Sequence, residues 1–345
     1  MSKIVKIRDI EIGGKSNITV QSMLNVSMSD IEKAILQAIR LEQLGCDIIR
    51  VSIDSEDDAR LIPRLKEAIN MPIVADIQFG YINAIHAIDN GVDAIRINPC
   101  YIGEEKHVQE VVEACKKKNL PIRVGVNSGS VKKEFIDKYL GVNKFSLVES
   151  CLEQVKLIEK YDYYNIVVSI KSTNVKTNYE ANKELSSRCD YPIHLGQTES
   201  GSDEDGLIKS AMGIGSLLLE GIGDTIRVSL TEHPAREVIT GRKILQYLDM
   251  RPYGIEVISC PTCGRTKVDL ISIVSDVKRE LKGINKDIKV AIMGCAVNGP
   301  GEAREADIGF ASGNGEAIMF KKGEIVKKIK EDEIIKVLLE EIEKM

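Results

Sequence analysis

The alternation of short β-branched runs with amphipathic stretches limits the folds that this chain can adopt more than any other feature of its sequence. The apolar residues of these runs are nearly continuous, as in buried parallel strands, and the segments between them have the length and periodicity of helices. Eight strand–helix units in about 245 residues predict a closed (β/α)8 TIM barrel, because an open doubly wound sheet needs only about six strands. The eight predicted strands are Ile18–Gln21, Asp47–Val51, Ile73–Asp76, Ala94–Ile97, Ile122–Gly125, Ile166–Ile170, Ile193–Leu195 and Thr225–Val228.

Local signals set several element boundaries around these strands. Ile4–Gly14 predicts a hairpin that precedes the first barrel strand. Ser29 and Glu32 have the spacing of a capping box, which predicts Ser29 as the N-cap of the first helix. Two further helices are predicted at Val108–Lys118 and Ala235–Tyr247.

The pattern changes after Tyr247, so we predict a barrel domain over residues 1–247 and a smaller α+β domain over residues 248–345. The elements predicted in the second domain are strands at Ile255–Ile258, Ile288–Met293, Ile308–Ala311 and Ala317–Phe320, with helices at Lys267–Leu281 and Glu331–Lys344.

Composition excludes several classes of protein. The net charge is −5, aromatic residues make up 4% of the chain and Trp is absent, which argues against a nucleic-acid partner. No run approaches the ~18 apolar residues of a membrane span, and the N-terminus lacks the apolar core of a signal peptide. We therefore expect a cytoplasmic protein with no membrane partner, whose thiols stay reduced.

Positively charged residues recur where the predicted strands end, which is where barrels build their active sites. Burying several cations together costs several kcal/mol each unless anions offset them. Guanidinium forks and ammonium groups suit phosphate oxygens, so we predict a phosphorylated or diphosphate ligand. The alternative is an internal salt-bridge network with Asp76, Asp54 and Glu199. The cations are Arg50, Arg96, Arg123, Lys171 and Arg227, and the polar residues at the same ends include Gln21, Asp76, Asn98, Asn127, Glu199 and Ser229. The four histidines are interpreted as core or surface residues.

Three cysteines in the second domain have the spacing of a metal site. Cys260 and Cys263 form a Cys-x2-Cys pair, and Cys295 follows in a Gly-rich segment. A structural zinc site needs four Cys or His ligands, and no further Cys or His follows Cys295. An iron–sulfur cubane accepts three thiolates plus an oxygen ligand, for which Glu302 is the nearest carboxylate. Spacing favours the iron–sulfur cluster but leaves zinc, or no metal, as alternatives.

These motifs resemble the 4-hydroxy-3-methylbut-2-enyl diphosphate synthase family. The strongest blocks are Cys260–Arg265 (CPTCGR) and Met293–Ala303 (MGCAVNGPGEA). The barrel contributes Val20–Met23, Asp47–Val51, Val74–Ile77, Arg96–Pro99 and Gly221–Leu230. The resemblance covers nearly the whole chain, without the extra middle domain of the plant-type form.

The resemblance implies an oxidoreductase of non-mevalonate isoprenoid biosynthesis. Its substrate would be 2-C-methyl-D-erythritol 2,4-cyclodiphosphate, which the family reduces by two electrons, opens and dehydrates to the linear allylic diphosphate. Glu199 would protonate the departing hydroxyl from a closed, dry site. By resemblance, a [4Fe-4S] cluster would be held by Cys260, Cys263, Cys295 and Glu302. The diphosphate would be bound by Arg50, Arg96, Arg123 and Lys171, with Asn98, Asn127 and Ser229 adding hydrogen bonds.

The resemblance also implies reduced flavodoxin or ferredoxin as the electron donor and a head-to-tail homodimer in which each cluster domain caps the partner's barrel. One block departs from the family pattern, because Gln78 and Gly80 stand where His and Asp are common. Two other hypotheses remain: a non-redox, phosphate-binding barrel transferase with a structural zinc module, and a non-enzymatic iron–sulfur carrier or sensor.

Overall fold

The computed structural model describes residues 1–99, 101–295, 301, 304–313 and 315–345. The chain divides into two compact units, Met1–Arg251 and Pro252–Met345. The division falls four residues beyond Tyr247. Within the described ranges, no helix is long and apolar enough to cross a membrane.

The first unit begins with an antiparallel hairpin, β1 (Val5–Ile7) and β2 (Ile10–Ile12). Ile7 and Ile12 pack against Ile48, Val74 and Ala94 at the start of three barrel strands, so the hairpin closes the bottom of the barrel. A Cβ on Gly13, which follows β2, would lie 2.0 Å from the carbonyl oxygen of Lys3. Only glycine fits this close approach.

Eight parallel strands form the barrel, which confirms the predicted fold class. They are β3 (Thr19–Met23), β4 (Ile48–Ser52), β5 (Ile73–Ile77), β6 (Ala94–Ile97), β7 (Ile122–Asn127), β8 (Ile166–Lys171), β9 (His194–Leu195) and β10 (Thr225–Ile226). Their order is β8-β7-β6-β5-β4-β3-β10-β9, and a parallel bridge between Val168 and Ile193 joins the two ends of this series. Val, Ile and Leu side chains fill the space between strands and helices.

Among the described residues, ten helices surround the barrel: α1 (Ile31–Gln43), α2 (Glu56–Arg60), α3 (Ile62–Ala68), α4 (Tyr81–Asp89), α5 (Glu105–Lys118), α6 (Lys133–Lys138), α7 (Lys144–Glu159), α8 (Val175–Arg188), α9 (Asp203–Leu219) and α10 (Pro234–Tyr247). A short 3₁₀ turn, Ser128–Ser130, follows β7. The predicted N-cap of α1 is wrong. Asp30, not Ser29, caps this helix by accepting from the amide of Lys33, while the Ser29 hydroxyl bonds to Ser27.

In its described ranges, the second unit is a five-stranded sheet with helices packed on one face. Its elements are β11 (Glu256–Ser259), α11 (Leu270–Glu280), β12 (Lys289–Met293), β13 (Ile308–Gly313), β14 (Glu316–Lys321), β15 (Glu324–Lys330), a 3₁₀ turn (Glu331–Glu333) and α12 (Ile334–Glu343). Strands β11, β12 and β13 are parallel, and β14 and β15 are antiparallel to their neighbours. Sequence analysis missed β15, because this lysine-rich edge strand is exposed along almost its whole length and has no apolar alternation.

Candidate functional site

A polar cavity of about 670 Å³ opens at the C-terminal ends of the barrel strands. Ten of the eleven barrel residues predicted for the site line it: Arg50, Asp76, Arg96, Asn98, Arg123, Asn127, Lys171, Glu199, Arg227 and Ser229. Gln21, the eleventh, does not line the cavity and is buried beside Arg123. The cavity also contains Met23, Gln78, Ser169 and Thr198, among others.

Strand register brings the charged residues together. Asp76, Arg96 and Arg123 are directly paired across β5, β6 and β7. Since residues in register on adjacent parallel strands lie about 5 Å apart, three charges separated by up to 47 positions become neighbours. Side chains alternate along β6: Ile95 and Ile97 face the helices that surround the barrel, and Arg96 faces the barrel interior.

Asp76 offsets two of the five cations. Its carboxylate lies 3.5 Å from the Nε of Arg50 and 3.1 Å from an Nη of Arg96. Burial alone raises the pKa of Asp76, but the charges of Arg50, Arg96 and Arg123 outweigh that effect, and the pKa is lowered. Burial also lowers the pKa of Arg50 to about 10. The predicted salt-bridge alternative is therefore present in part, without Asp54 or Glu199 in the described ion pairs of these cations.

Glu237 offsets a third cation, and sequence analysis missed it. This 3% exposed glutamate of α10 lies 3.1 Å from Arg227 and also accepts from the Ser22 hydroxyl and the amide of Leu230. Its position in an ordinary amphipathic helix predicts a solvent-facing or capping carboxylate. No sequence signal could have identified this pairing, because no rule connects two residues that are ten positions apart.

The other two cations have uncharged partners. Arg123 donates to the amide oxygen of Gln21 at 2.5 Å, and Lys171 Nζ lies 3.4 Å from Nε2 of His194. Burial first, and then the neighbouring positive charges, lower the pKa of Arg123, Lys171 and His194 well below their usual values. For His194 this shift favours the neutral imidazole over the charged form.

Two glycines leave room for the cationic side chains. A Cβ on Gly125 would lie 3.0 Å from Nε of Arg96. A Cβ on Gly196 would lie 2.8 Å from Cε and Nζ of Lys171 and 2.8 Å from the carbonyl oxygen of Arg227. Because the contact with Arg227 is with backbone, which cannot move aside as a side chain can, residue 196 has to be glycine; a Cβ there would also displace the end of the Lys171 side chain.

Glu199 lies at the rim of the cavity and is exposed. Its backbone is left-handed, with φ of 52°, which a residue other than glycine adopts at a cost of order 1 kcal/mol. Because Glu199 is exposed, the barrel by itself does not provide the dry surroundings expected for its carboxyl group. Gln78, on the opposite side of the mouth, is also exposed.

The cysteines of the second unit follow neighbouring parallel strands. Cys260 comes directly after β11, and Cys295 comes two residues after β12, so both lie at the same edge of the sheet. The amide of Gly294 donates to Sγ of Cys260 at 3.2 Å. Cys263 is exposed, and hydrogen bonding from the Arg265 backbone lowers the pKa of its thiol.

The described residues at this edge of the sheet do not form a preassembled metal-binding site. Among the described residues, no three Cys, His, Asp or Glu side chains converge closely enough to hold a metal ion. Glu302, the predicted fourth ligand, lies outside the described residues.

Comparison with known families covers both units. The GcpE TIM-barrel domain matches residues 2–242, and the GcpE protein C-terminal domain matches residues 256–344. The chain belongs to the GcpE family. It is 53% identical over 345 residues to the Caldanaerobacter subterraneus protein named 4-hydroxy-3-methylbut-2-en-1-yl diphosphate synthase (flavodoxin), covering 100% of this chain and 97% of that one. Proteins of the same name from Fusobacterium nucleatum and Clostridium tetani are 49% and 51% identical, covering 100% and 98% of this chain and 96% and 97% of theirs.

Solved structures resemble this GcpE-family chain in fold alone. The Plasmodium falciparum HPPK-DHPS structure has a TM-score of 0.52 at 16% identity, covering 81% of this chain and 54% of that one. The N-acetylneuraminic acid synthetase of Leptospira borgpetersenii has a TM-score of 0.51 at 13% identity, covering 83% and 99%. The TM-scores indicate a shared fold. At identities this low the likeness says nothing of activity, so it gives no support to the transferase alternative.

Proposed function

We propose that this GcpE-family chain catalyses the two-electron reductive ring opening and dehydration of 2-C-methyl-D-erythritol 2,4-cyclodiphosphate. The product is (E)-4-hydroxy-3-methylbut-2-enyl diphosphate, a precursor in isoprenoid biosynthesis. Two electrons and two protons enter, the ring C–O bond breaks, and one water leaves. The observation that carries this proposal is whole-length identity of about 50% to synthases of this name.

The barrel cavity suits such a substrate. A diphosphate carries several negative charges, and Arg50, Arg96, Arg123, Lys171 and Arg227 all reach the same cavity. Guanidinium groups bind phosphate oxygens through paired N–H donors, which orients the ring as well as holding it. In this proposal Asn98, Asn127 and Ser229 add hydrogen bonds that set the direction in which the ring faces the cavity mouth.

The second unit would hold the redox group. Its three thiols fit the donor set of an iron–sulfur cluster. One of them, Cys263, is exposed and has a lowered pKa, which favours the thiolate that binds metal. Another, Cys260, accepts a hydrogen bond from a backbone amide. We propose that Cys260, Cys263, Cys295 and Glu302 bind a [4Fe-4S] cluster. When bound, a cluster of this kind supplies electrons one at a time, which no protein side chain here does.

Glu199 is the proposed proton donor to the departing hydroxyl group. Its exposed position at the rim would bring its carboxyl group next to a ring that projects from the cavity. A carboxyl group acts as an acid near neutral pH when water is excluded from around it. We propose that a head-to-tail homodimer excludes this water, with the second unit of one copy covering the barrel mouth of the other.

Reduced flavodoxin, which the relatives' names specify, is the proposed electron donor, with ferredoxin as the alternative. We further propose that the protein works in the cytoplasm, where a reducing environment keeps the cluster thiols unpaired. Seven described cysteines are free thiols, as this proposal requires.

Anaerobic reconstitution tests the proposal directly. We expect about four iron and four sulfide per chain, and turnover of the cyclic diphosphate with a chemical reductant. Glu199→Gln should keep the iron content and substrate binding while losing at least about 100-fold in kcat, because the amide has no proton to give. A protein that takes up iron and sulfide yet leaves the cyclic diphosphate unchanged would overturn the proposed reaction.

A further inference from the structure

The five cations of the cavity differ in the charge of the group that supports each one. Arg50 and Arg96 share Asp76, and Arg227 is paired with Glu237. Arg123 and Lys171 are supported instead by an amide oxygen and an imidazole nitrogen. In the part of the chain that the structure describes, no carboxylate oxygen lies within 4.0 Å of a nitrogen of either residue.

The supporting groups of Arg123 and Lys171 are built into the barrel interior. Gln21 is 3% exposed and His194 is fully buried, and neither contributes to the cavity wall. A guanidinium group has only donors, so the Gln21 oxygen must face Arg123. An ammonium group likewise has only donors, so Nε2 of His194 accepts from Lys171, and the proton on Nδ1 faces the Thr225 hydroxyl at 3.4 Å.

A carboxylate would hold these cations equally well in geometric terms, but with a different electrostatic result. A carboxylate partner offsets most of the field that its cation presents to a ligand, whereas a neutral acceptor satisfies a hydrogen bond and leaves the charge in place. Asp76 and Glu237 therefore stabilise three of the cations without help from a ligand. Gln21 and His194 leave two cations whose charge is available to an anion.

We propose that Gln21 and His194 are positioning residues whose neutrality sets the affinity of the cavity for a diphosphate. They orient Arg123 and Lys171 without touching the ligand, and the uncompensated charge of these two cations supplies the attraction. This inference rests on the proposed function only in taking a diphosphate as the ligand.

Gln21→Glu tests the proposal, because it is nearly isosteric and adds one negative charge beside Arg123. The probes are inorganic pyrophosphate and the cyclic diphosphate, titrated calorimetrically into the purified full-length chain. We expect binding of both to weaken about tenfold or more, while the melting temperature stays the same or rises, since a buried arginine gains a counter-ion. A merely structural role for Gln21 predicts the reverse: a lower melting temperature and unchanged affinity.

Gln154→Glu is the matched control. Gln154 is also buried, but it lies on the outer helix α7, away from the cavity. The same chemical change there should lower the melting temperature and leave pyrophosphate affinity within about twofold.

A second pair of variants covers the case in which Gln21→Glu does not fold. His194→Gln keeps a neutral acceptor and should bind within about threefold of the parent chain, whereas His194→Glu should bind about tenfold more weakly. Equal affinity of the folded charged and neutral variants would overturn the proposal while leaving the proposed function intact. Failure of the parent chain to bind either probe would overturn both.

Discussion

Asp76→Asn should lower the free energy of unfolding of the ligand-free chain while leaving its fold unchanged. The substitution removes the only negative charge that the described ion pairs give to Arg50 and Arg96, at 3.5 and 3.1 Å. At an effective dielectric constant of about 20, each contact corresponds to roughly 5 kcal/mol of gross Coulomb energy, most of which the desolvation of the charges offsets. Removing one partner of a buried pair costs about 3–5 kcal/mol.

For Asp76→Asn we expect the free energy of unfolding to fall by about 3 kcal/mol, at the low end of this range, because the asparagine oxygen still accepts one hydrogen bond. For a unit of this size that loss lowers the melting temperature by about 6–12 °C. The assay is thermal and urea unfolding of the ligand-free chain at pH 7, followed by circular dichroism. Asp57→Asn is the control, since that carboxylate is 89% exposed and its ion pair should contribute under about 0.5 kcal/mol.

The pH dependence gives a second check on the same reasoning. The folded-state pKa of Asp76 is lowered, so its contribution is complete above the unfolded-state value of about 3.9 and is lost as the pH falls through the folded value. The difference between the parent chain and Asp76→Asn should therefore shrink below about pH 4. A stability loss under about 1 kcal/mol at pH 7, or a difference that grows in acid, would refute the charge-pair account.

Three further predictions concern other parts of the molecule. Gly196→Ala should weaken pyrophosphate binding about tenfold, measured by calorimetry, because the added Cβ displaces Lys171. Gly215→Ala is its control: a Cβ there meets nothing within 4 Å, so the variant should bind normally and gain about 0.5–1 kcal/mol in stability. Equal affinities and melting curves for the two variants would contradict this. Cys260→Ser should reduce iron and sulfide per chain after anaerobic reconstitution, with Cys189→Ser as the control that retains both, and full incorporation in Cys260→Ser would exclude that thiol as a ligand. Asp47→Ala should cost about 2–4 kcal/mol in urea unfolding, because Asp47 accepts from the Val20 amide and from both terminal nitrogens of Arg251; a loss under about 0.5 kcal/mol would mean that these bonds contribute little.

The strands and their order around the barrel were predictable because they depend on local pattern. Eight apolar runs at regular spacing leave one closed parallel arrangement, and the carboxyl ends of parallel strands necessarily meet. For this reason the sequence alone assigns Arg50, Arg96, Arg123 and Lys171 to one cavity. The edge strand β15 was not predictable, since an exposed strand needs no apolar face.

The sequence by itself therefore determined which charges would gather at the mouth of the barrel, and the family motifs determined what chemistry they would serve. Only the tertiary structure decided how those charges are offset. Gln21 and Arg123 are 102 residues apart, and their contact depends on the tilt and closure of the whole barrel. Glu237 reaches Arg227 only because α10 packs back against β3. Which buried charges pair depends on how strands and helices pack in three dimensions. The pattern of the sequence predicts which residues face inward, but not which of them come into contact.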